Sequence, residues 1–118
     1  MPPTLTLYGS VAEIGGNKIL LEDGACRIML DFGIAFGRQQ AFFNELLRPR
    51  TARGLLDLLA LGLIPPLEGL YRADLTPPRL WQRMQTAPLY RDLRRGDGRP
   101  ALDAVFLSHA HLDHNGDL

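Results

Sequence analysis

The feature that most constrains this chain is an apolar run that ends directly in a cluster of histidines. Residues 104–107 read as a buried strand, because four apolar residues follow one another without a break. The seven residues after them contain all three histidines of the protein and one aspartate: His109, His111, Asp113 and His114. Imidazoles and carboxylates are the ligands that zinc and related divalent metals prefer. The sequence therefore predicts a metal-binding loop at the tip of a strand.

The spacing within this loop predicts two metal positions. Residues i and i+2 of an extended segment point the same way, so His109 and His111 can reach one metal. Asp113 and His114 follow once the chain has begun to turn, and they can serve a second metal about 3.5–4 Å away. Four ligands exceed the roughly three that one open catalytic site takes and do not complete two sites. The missing ligands would come from beyond residue 118 or from another chain.

The stretch 108–116 resembles the signature of the metallo-β-lactamase-fold hydrolases. In that family, such a loop follows a core strand and feeds a dinuclear, usually zinc, site. The resemblance implies that His109 and His111 bind the first metal, and that Asp113 and His114 bind the second. Asp113 would be both a ligand and a catalytic residue that orients the attacking water.

The amino-terminal part extends the resemblance. Family members carry an aspartate at the end of an earlier strand that props up the metal loop, and Asp31 matches it as the second catalytic candidate. Residues 8–33, with Glu13-Ile-Gly-Gly-Asn17, look like the opening of the RNA-processing branch, which includes ribonuclease J-like and polyadenylation-factor-like nucleases. The expected fold class is α/β: the first half of an αββα sandwich, with a helical insertion over about 38–100. The chain is expected to be the amino-terminal part of one such domain.

The function implied by the resemblance is metal-dependent hydrolysis with two divalent metal ions, zinc being the expected one. The expected substrate is a phosphodiester bond in RNA. Two alternatives stay open. One is a hydrolase of the same fold acting on a small-molecule ester, thioester or lactam. The other is a non-catalytic metal-binding or RNA-binding scaffold.

The composition restricts the classes of partner that the chain is expected to bind, but it identifies none. The 13 basic and 13 acidic residues give a formal net charge of zero, so no global field draws the chain to nucleic acid or membrane. Arginines at 48–53 and 91–99 form two groups, which are either solvated surface or phosphate contacts. No apolar run reaches the roughly 18–20 residues of a membrane span and no secretion signal is visible, so a cytoplasmic location is expected. The single Cys26 is expected to be a small buried residue.

Periodicity predicts the remaining elements. Strands are expected at 4–8, 17–22 and 27–31, with a hairpin turn at 23–25. Helices are expected around 41–47, from a cap at Thr51 to a stop at Gly62, and from a cap at Thr76 through Leu80 and Trp81. The leucine-rich stripe of these helices is either core or the surface through which copies of the chain associate.

Overall fold

The computed structural model describes residues 2–9, 11–43, 54–84, 96 and 98–116, and it leaves the side chains of residues 83, 84, 113 and 115 undescribed. The chain divides into two compact units. The sheet unit comprises Met1–Ala41 and Leu102–Leu118, and the helical unit comprises Phe42–Ala101. No helix in the described part of the chain is long and apolar enough to cross a membrane. The architecture is a small α/β fold.

The sheet unit is built on a four-stranded mixed sheet in the order β1-β2-β3-β4. The strands are β1 (Thr4–Leu7), β2 (Ile19–Asp23), β3 (Cys26–Leu30) and β4 (Ala104–Phe106). Neighbouring strands are antiparallel except β3 and β4, which run parallel. All four predicted strands are present, with ends that differ from the predicted ones by at most two residues. The fully buried Leu20 and Met29 form its core with Phe32 and Ala35.

The hairpin between β2 and β3 confirms the predicted turn. Asp23 pairs with Cys26, so the loop has two residues, and Gly24 at its first position has φ +58°. A glycine with positive φ at that position suits the right-handed twist of a two-residue hairpin. Cys26 itself is exposed, so the expectation of a buried cysteine was wrong. It stands next to the turn, where the strand begins and has few neighbours.

The predicted burial of the fourth strand was also wrong. Val105 is 38% exposed, Phe106 58% and Leu107 43%. The apolar run does form β4, but β4 lies at the edge of the sheet, with β3 as its only strand neighbour among the described residues. The sequence shows that a strand is apolar, whereas its burial depends on which other elements pack against it.

Two short helices belong to the sheet unit. α1 (Phe36–Phe42) starts five residues before the expected 41, and residues 44–53, including the expected cap Thr51, lie outside the described residues. α4 (Leu112–Asn115) contains His114 and begins directly after His111, which is its extended N-cap. The chain therefore turns between His111 and Asp113, as the spacing predicts.

The helical unit has its own apolar core. α2 (Gly54–Ala60) and α3 (Leu80–Met84) contribute the buried Leu59, Leu80 and Trp81. The leucine stripe is thus core along this side. α2 ends before Gly62, whose φ of +68° confirms it as the predicted stop.

The predicted cap at Thr76 was wrong. Thr76 closes a 3₁₀ helix (Ala73–Leu75), and its hydroxyl donates to the Arg72 carbonyl at 2.8 Å. α3 begins only at Leu80, after Arg79 takes a φ of +61°. Thr76 lies four residues before the first residue of α3, so it does not occupy the N-cap position, from which a side chain reaches the first N–H groups of a helix.

Candidate metal site at the carboxyl ends of β3 and β4

The parallel pairing of β3 and β4 brings the predicted site residues to one edge of the sheet. Parallel neighbours end at the same edge, so Asp31 after β3 and Ser108 after β4 are adjacent although 77 positions separate them. The Asp31 N–H donates to the Phe106 carbonyl at 2.8 Å, which continues the ladder by one residue. Ligand sites of open α/β sheets form at such carboxyl ends.

Asp31 is buried and turned toward the loop. Its φ of +58° is uncommon for a residue with a side chain, although aspartate tolerates it better than most. Its Oδ1 accepts the Ser108 N–H at 2.7 Å, and its Oδ2 accepts the Ser108 hydroxyl at 2.8 Å. Oδ2 also lies 2.7 Å from His114 Nδ1. A single carboxylate therefore holds both ends of the histidine loop.

This network keeps Asp31 ionised. Burial raises the pKa of Asp31, whereas hydrogen bonds from the Ser108 backbone N–H, the His114 ring and the Ser108 hydroxyl lower it. Together the donors outweigh burial, and the pKa of Asp31 lies below its ordinary value. Because an ionised carboxylate can only accept, each group that faces it must donate a proton.

The three histidines lie together, and we refer to His109, His111 and His114 as the histidine cluster. The ring centroids of His109 and His111 are 4.7 Å apart in an edge-on arrangement, and those of His109 and His114 are 3.9 Å apart. His109 and His111 are exposed, whereas the His114 side chain is only 17% exposed. The cluster thus opens to solvent on one side and rests on Asp31 on the other.

The contacts turn Nδ1 of two histidine rings toward Asp31 and Ser108. His114 Nδ1 lies 2.7 Å from the ionised Asp31, which can only accept, so this contact favours a proton on Nδ1. The Asn17 amide nitrogen makes a longer contact with the same atom, at 3.4 Å. Ser108 donates its hydroxyl to Asp31 and lies 2.9 Å from His109 Nδ1, which favours a proton on that nitrogen as well. A carboxylate that fixes a histidine tautomer in this way is the usual support of a metal-binding imidazole.

The backbone of α4 is held by the segment after β3. The Phe32 N–H donates to the His114 carbonyl at 2.7 Å, and the Ile34 N–H donates to the Leu112 carbonyl at 3.0 Å. A Cβ on Gly116 would lie 2.5 Å from Ile34 Cδ1, so the helix end approaches the segment closely. The position of His114 is therefore set twice, through its ring and through its backbone.

The donor set fits a divalent metal ion by its chemistry. Among the side chains that the structure describes, no three histidine, cysteine, aspartate or glutamate residues are already arranged to hold one. Asp31 is engaged with Ser108 and His114, and the side chain of Asp113 lies outside the described residues. Imidazole nitrogens, which all three histidines offer, are among the ligands that zinc takes.

The structure brings together four of the five predicted site residues: Asp31, His109, His111 and His114. The ligand and catalytic roles assigned to them and to Asp113 stay predictions. Sequence reasoning missed the role of Ser108, which links Asp31 to His109. It also missed Lys18, the only lysine in the chain and 1% exposed. The available signal was a lysine in a predicted strand, on the same face of that strand as the apolar Leu20.

Comparison with known proteins gives a fold relative. No protein-family description matches the chain, and no curated protein matches it. Among solved structures, the chain is similar to the crystal structure of a protein of unknown function from Enterococcus faecalis V583. The TM-score is 0.57 at 32% identity, and the match covers 96% of this chain. The chain spans 22% of the length of that protein's chain. The comparisons therefore support the small α/β fold.

Proposed function

We propose that this chain is part of a metal-dependent hydrolase that activates water at a dinuclear site, with zinc as the expected metal. One observation carries the proposal: the buried, ionised Asp31 contacts Nδ1 of His114 and, through Ser108, is linked to Nδ1 of His109, so that one carboxylate orients both rings. A carboxylate that orients histidine rings in this way is typical of histidines that bind a metal ion. A cluster of exposed histidines without such support would suggest nothing specific.

The proposed roles of the residues are those that the family resemblance implies. His109 and His111 would hold one metal ion, and Asp113 with His114 the other. Bound metal ions supply a water of lowered pKa and stabilise negative charge on the substrate oxygen. Asp31 does not reach the solvent side of the cluster; it fixes the His114 ring and the Ser108 peptide. Asp113 is proposed to orient the attacking water.

We further propose the metallo-β-lactamase sandwich as the finer fold and an RNA phosphodiester as the substrate. The mixed sheet supports the first point, with Asp31 and the histidine loop at its carboxyl edge. The likeness of the 8–33 stretch to the RNA-processing branch supports the second. Of the predicted arginine groups, only Arg99 is among the described residues. A cytoplasmic location is part of this proposal.

Metal binding is the first test of the proposal. Protein purified without chelator is analysed for zinc, iron and manganese, and Co²⁺ is titrated into metal-free protein while its visible absorption is recorded. We expect bound metal, a Co²⁺ spectrum with nitrogen ligands and a higher melting temperature. His111→Ala should weaken binding, whereas Arg72→Ala, at an exposed ion pair in the helical unit, should leave it unchanged. Protein free of metal and unaffected by its addition would refute the proposal.

Substrate class is tested separately on the longest form of the protein that can be purified. Metal-loaded protein is assayed against single-stranded RNA, a thioester and a lactam, with His111→Ala as the matched inactive variant. RNA cleavage that disappears in His111→Ala supports the nuclease. Thioester or lactam cleavage with intact RNA would move the function to small molecules. Metal binding without any hydrolysis would indicate the scaffold.

A further inference from the structure

Lys18 is a buried charged side chain outside the histidine cluster. Among the described residues, the buried polar or charged ones are Lys18, at 1% exposure, and Asp31. Lys18 directly precedes β2, and Leu20, two positions along the same face, is equally buried. Desolvating an ammonium group opposes folding, whereas an apolar side chain would fill the same space without that penalty. The charge is therefore expected to have a specific contact that offsets its burial.

Two described contacts of the Lys18 ammonium group lie on the segment that follows Asp31. Nζ donates to the Gly33 carbonyl at 2.6 Å, a short charge-assisted hydrogen bond. It also lies 5.4 Å from the centroid of the Phe32 ring, within the range of a cation–π interaction. The backbone adds a third link, because the Gly33 N–H donates to the Asn17 carbonyl at 3.1 Å. Both backbone polar groups of Gly33 are thus hydrogen-bonded to the two residues that directly precede β2.

The same segment carries the backbone bonds that hold α4. The N–H groups of Phe32 and Ile34, on either side of Gly33, donate to the carbonyls of His114 and Leu112. A rotation of the Gly33 peptide would turn these two neighbours away from their acceptors. It would also disturb Asp31, which comes two residues earlier and has a positive φ.

We infer that Lys18 is a positioning residue of the histidine cluster: its buried ammonium fixes the Gly33 peptide, and this peptide fixes the two N–H groups that hold the His114 end of the loop. This inference rests on the proposed function, because rigid placement of the ligands raises the affinity of a cluster that binds a metal ion. It differs from simple core filling, which any side chain of similar volume would provide.

The test compares Lys18→Met with Leu20→Ala. Lys18→Met keeps most of the volume and removes the charge and the hydrogen bond, whereas Leu20→Ala weakens the same core without touching Gly33. Amide hydrogen exchange is measured in metal-free protein. We expect Lys18→Met to accelerate exchange at Phe32 and Ile34 tenfold or more beyond the average change in β1–β3, and to shift the ring resonances of His114. Leu20→Ala should accelerate exchange across the sheet without singling out these two amides.

A second readout is the affinity for Zn²⁺, measured by competition with a chromophoric chelator. Lys18→Met should lower the affinity about tenfold, within the range typical of lost outer-shell support. Lys18→Gln, which retains a neutral donor, should fall between wild type and Lys18→Met. Equal exchange at Phe32 and Ile34 in the Met and Leu20→Ala variants would overturn the inference. Failure of both Lys18 variants to fold would also overturn it, because the lysine would then serve general stability.

The two proposals fail in different ways. Wild-type protein that binds no Zn²⁺ refutes the proposed function, and the exchange comparison in metal-free protein still decides the role of Lys18. Wild-type protein that binds Zn²⁺, with Lys18→Met binding it equally and showing unchanged exchange at both amides, refutes only the role of Lys18.

Discussion

Replacing Asp31 by asparagine should be among the most damaging single-atom changes in the sheet unit. Asparagine tolerates positive φ about as well as aspartate, so the substitution isolates the carboxylate from the backbone turn. Oδ1 can still accept the Ser108 N–H, but an amide NH₂ replaces Oδ2 and faces two donors, the Ser108 hydroxyl and His114 Nδ1. Two hydrogen bonds to an ionised acceptor are lost, and a third becomes a bond to a neutral one.

The magnitude follows from these contacts. Hydrogen bonds to a charged group contribute about 1.5–3 kcal/mol each, so two of them sum to about 3–6 kcal/mol. Solvent on the open side of the cluster can take up part of the loss at His114, whose side chain is 17% exposed. We therefore expect a loss of about 3 kcal/mol. At roughly 4 °C per kcal/mol for a chain of this size, the melting temperature should fall by about 12 °C.

The matched control for Asp31→Asn is Asp103→Asn. Asp103 lies at the other end of the β3–β4 pair, is exposed, and accepts the Arg27 N–H at 2.7 Å through one oxygen. Asparagine keeps an acceptor there, so the loss should stay below about 1 kcal/mol. Urea unfolding gives both free energies, and nitrogen-15 NMR of the histidine rings reports whether His114 keeps its proton on Nδ1. Equal losses in the two variants, with the tautomer of His114 unchanged, would refute the network described for Asp31.

Three further perturbations test other parts of the structure. Because the pKa of Asp31 is lowered in the folded protein, its ionised form stabilises the fold fully above the ordinary value of about 4, and this stabilisation is lost as the pH falls below that value. Between pH 6 and pH 2, the melting temperature should therefore fall more steeply for wild type than for Asp31→Asn. Gly16→Ala should cost about 2–4 kcal/mol, because φ is +70° and the new Cβ would meet backbone within 3 Å, whereas Gly24→Ala, with φ +58° and open space, should cost about 1 kcal/mol. Leu59→Ala in the helical core should cost about 2–5 kcal/mol, and Leu75→Ala, 58% exposed, should stay within about 0.5 kcal/mol. Urea unfolding measures both pairs, and equal costs within either pair would contradict the packing described here.

The local pattern of the sequence determined the elements and the composition of the candidate site. Alternation of apolar and polar residues, a glycine in a two-residue turn and the crowding of three histidines are properties of short stretches. The strands, the turn at Gly24 and the change from extended chain to helix between His111 and Asp113 were predictable because each depends on near neighbours. Asp31 was singled out by its position at the end of a predicted strand and by a family resemblance.

Only the tertiary structure decided how these residues support one another. Ser108 and His114 meet Asp31 across 77 and 83 positions of sequence, and no local pattern specifies such a meeting. The same holds for Lys18, whose burial and whose hydrogen bond to the Gly33 carbonyl both depend on a segment 15 positions away. Exposure of Phe106 has the same origin, since an apolar strand is buried only where another element covers it. The types of side chain and the local conformation depend on short stretches of sequence. Burial and hydrogen-bond partners depend on contacts between segments that are distant in sequence.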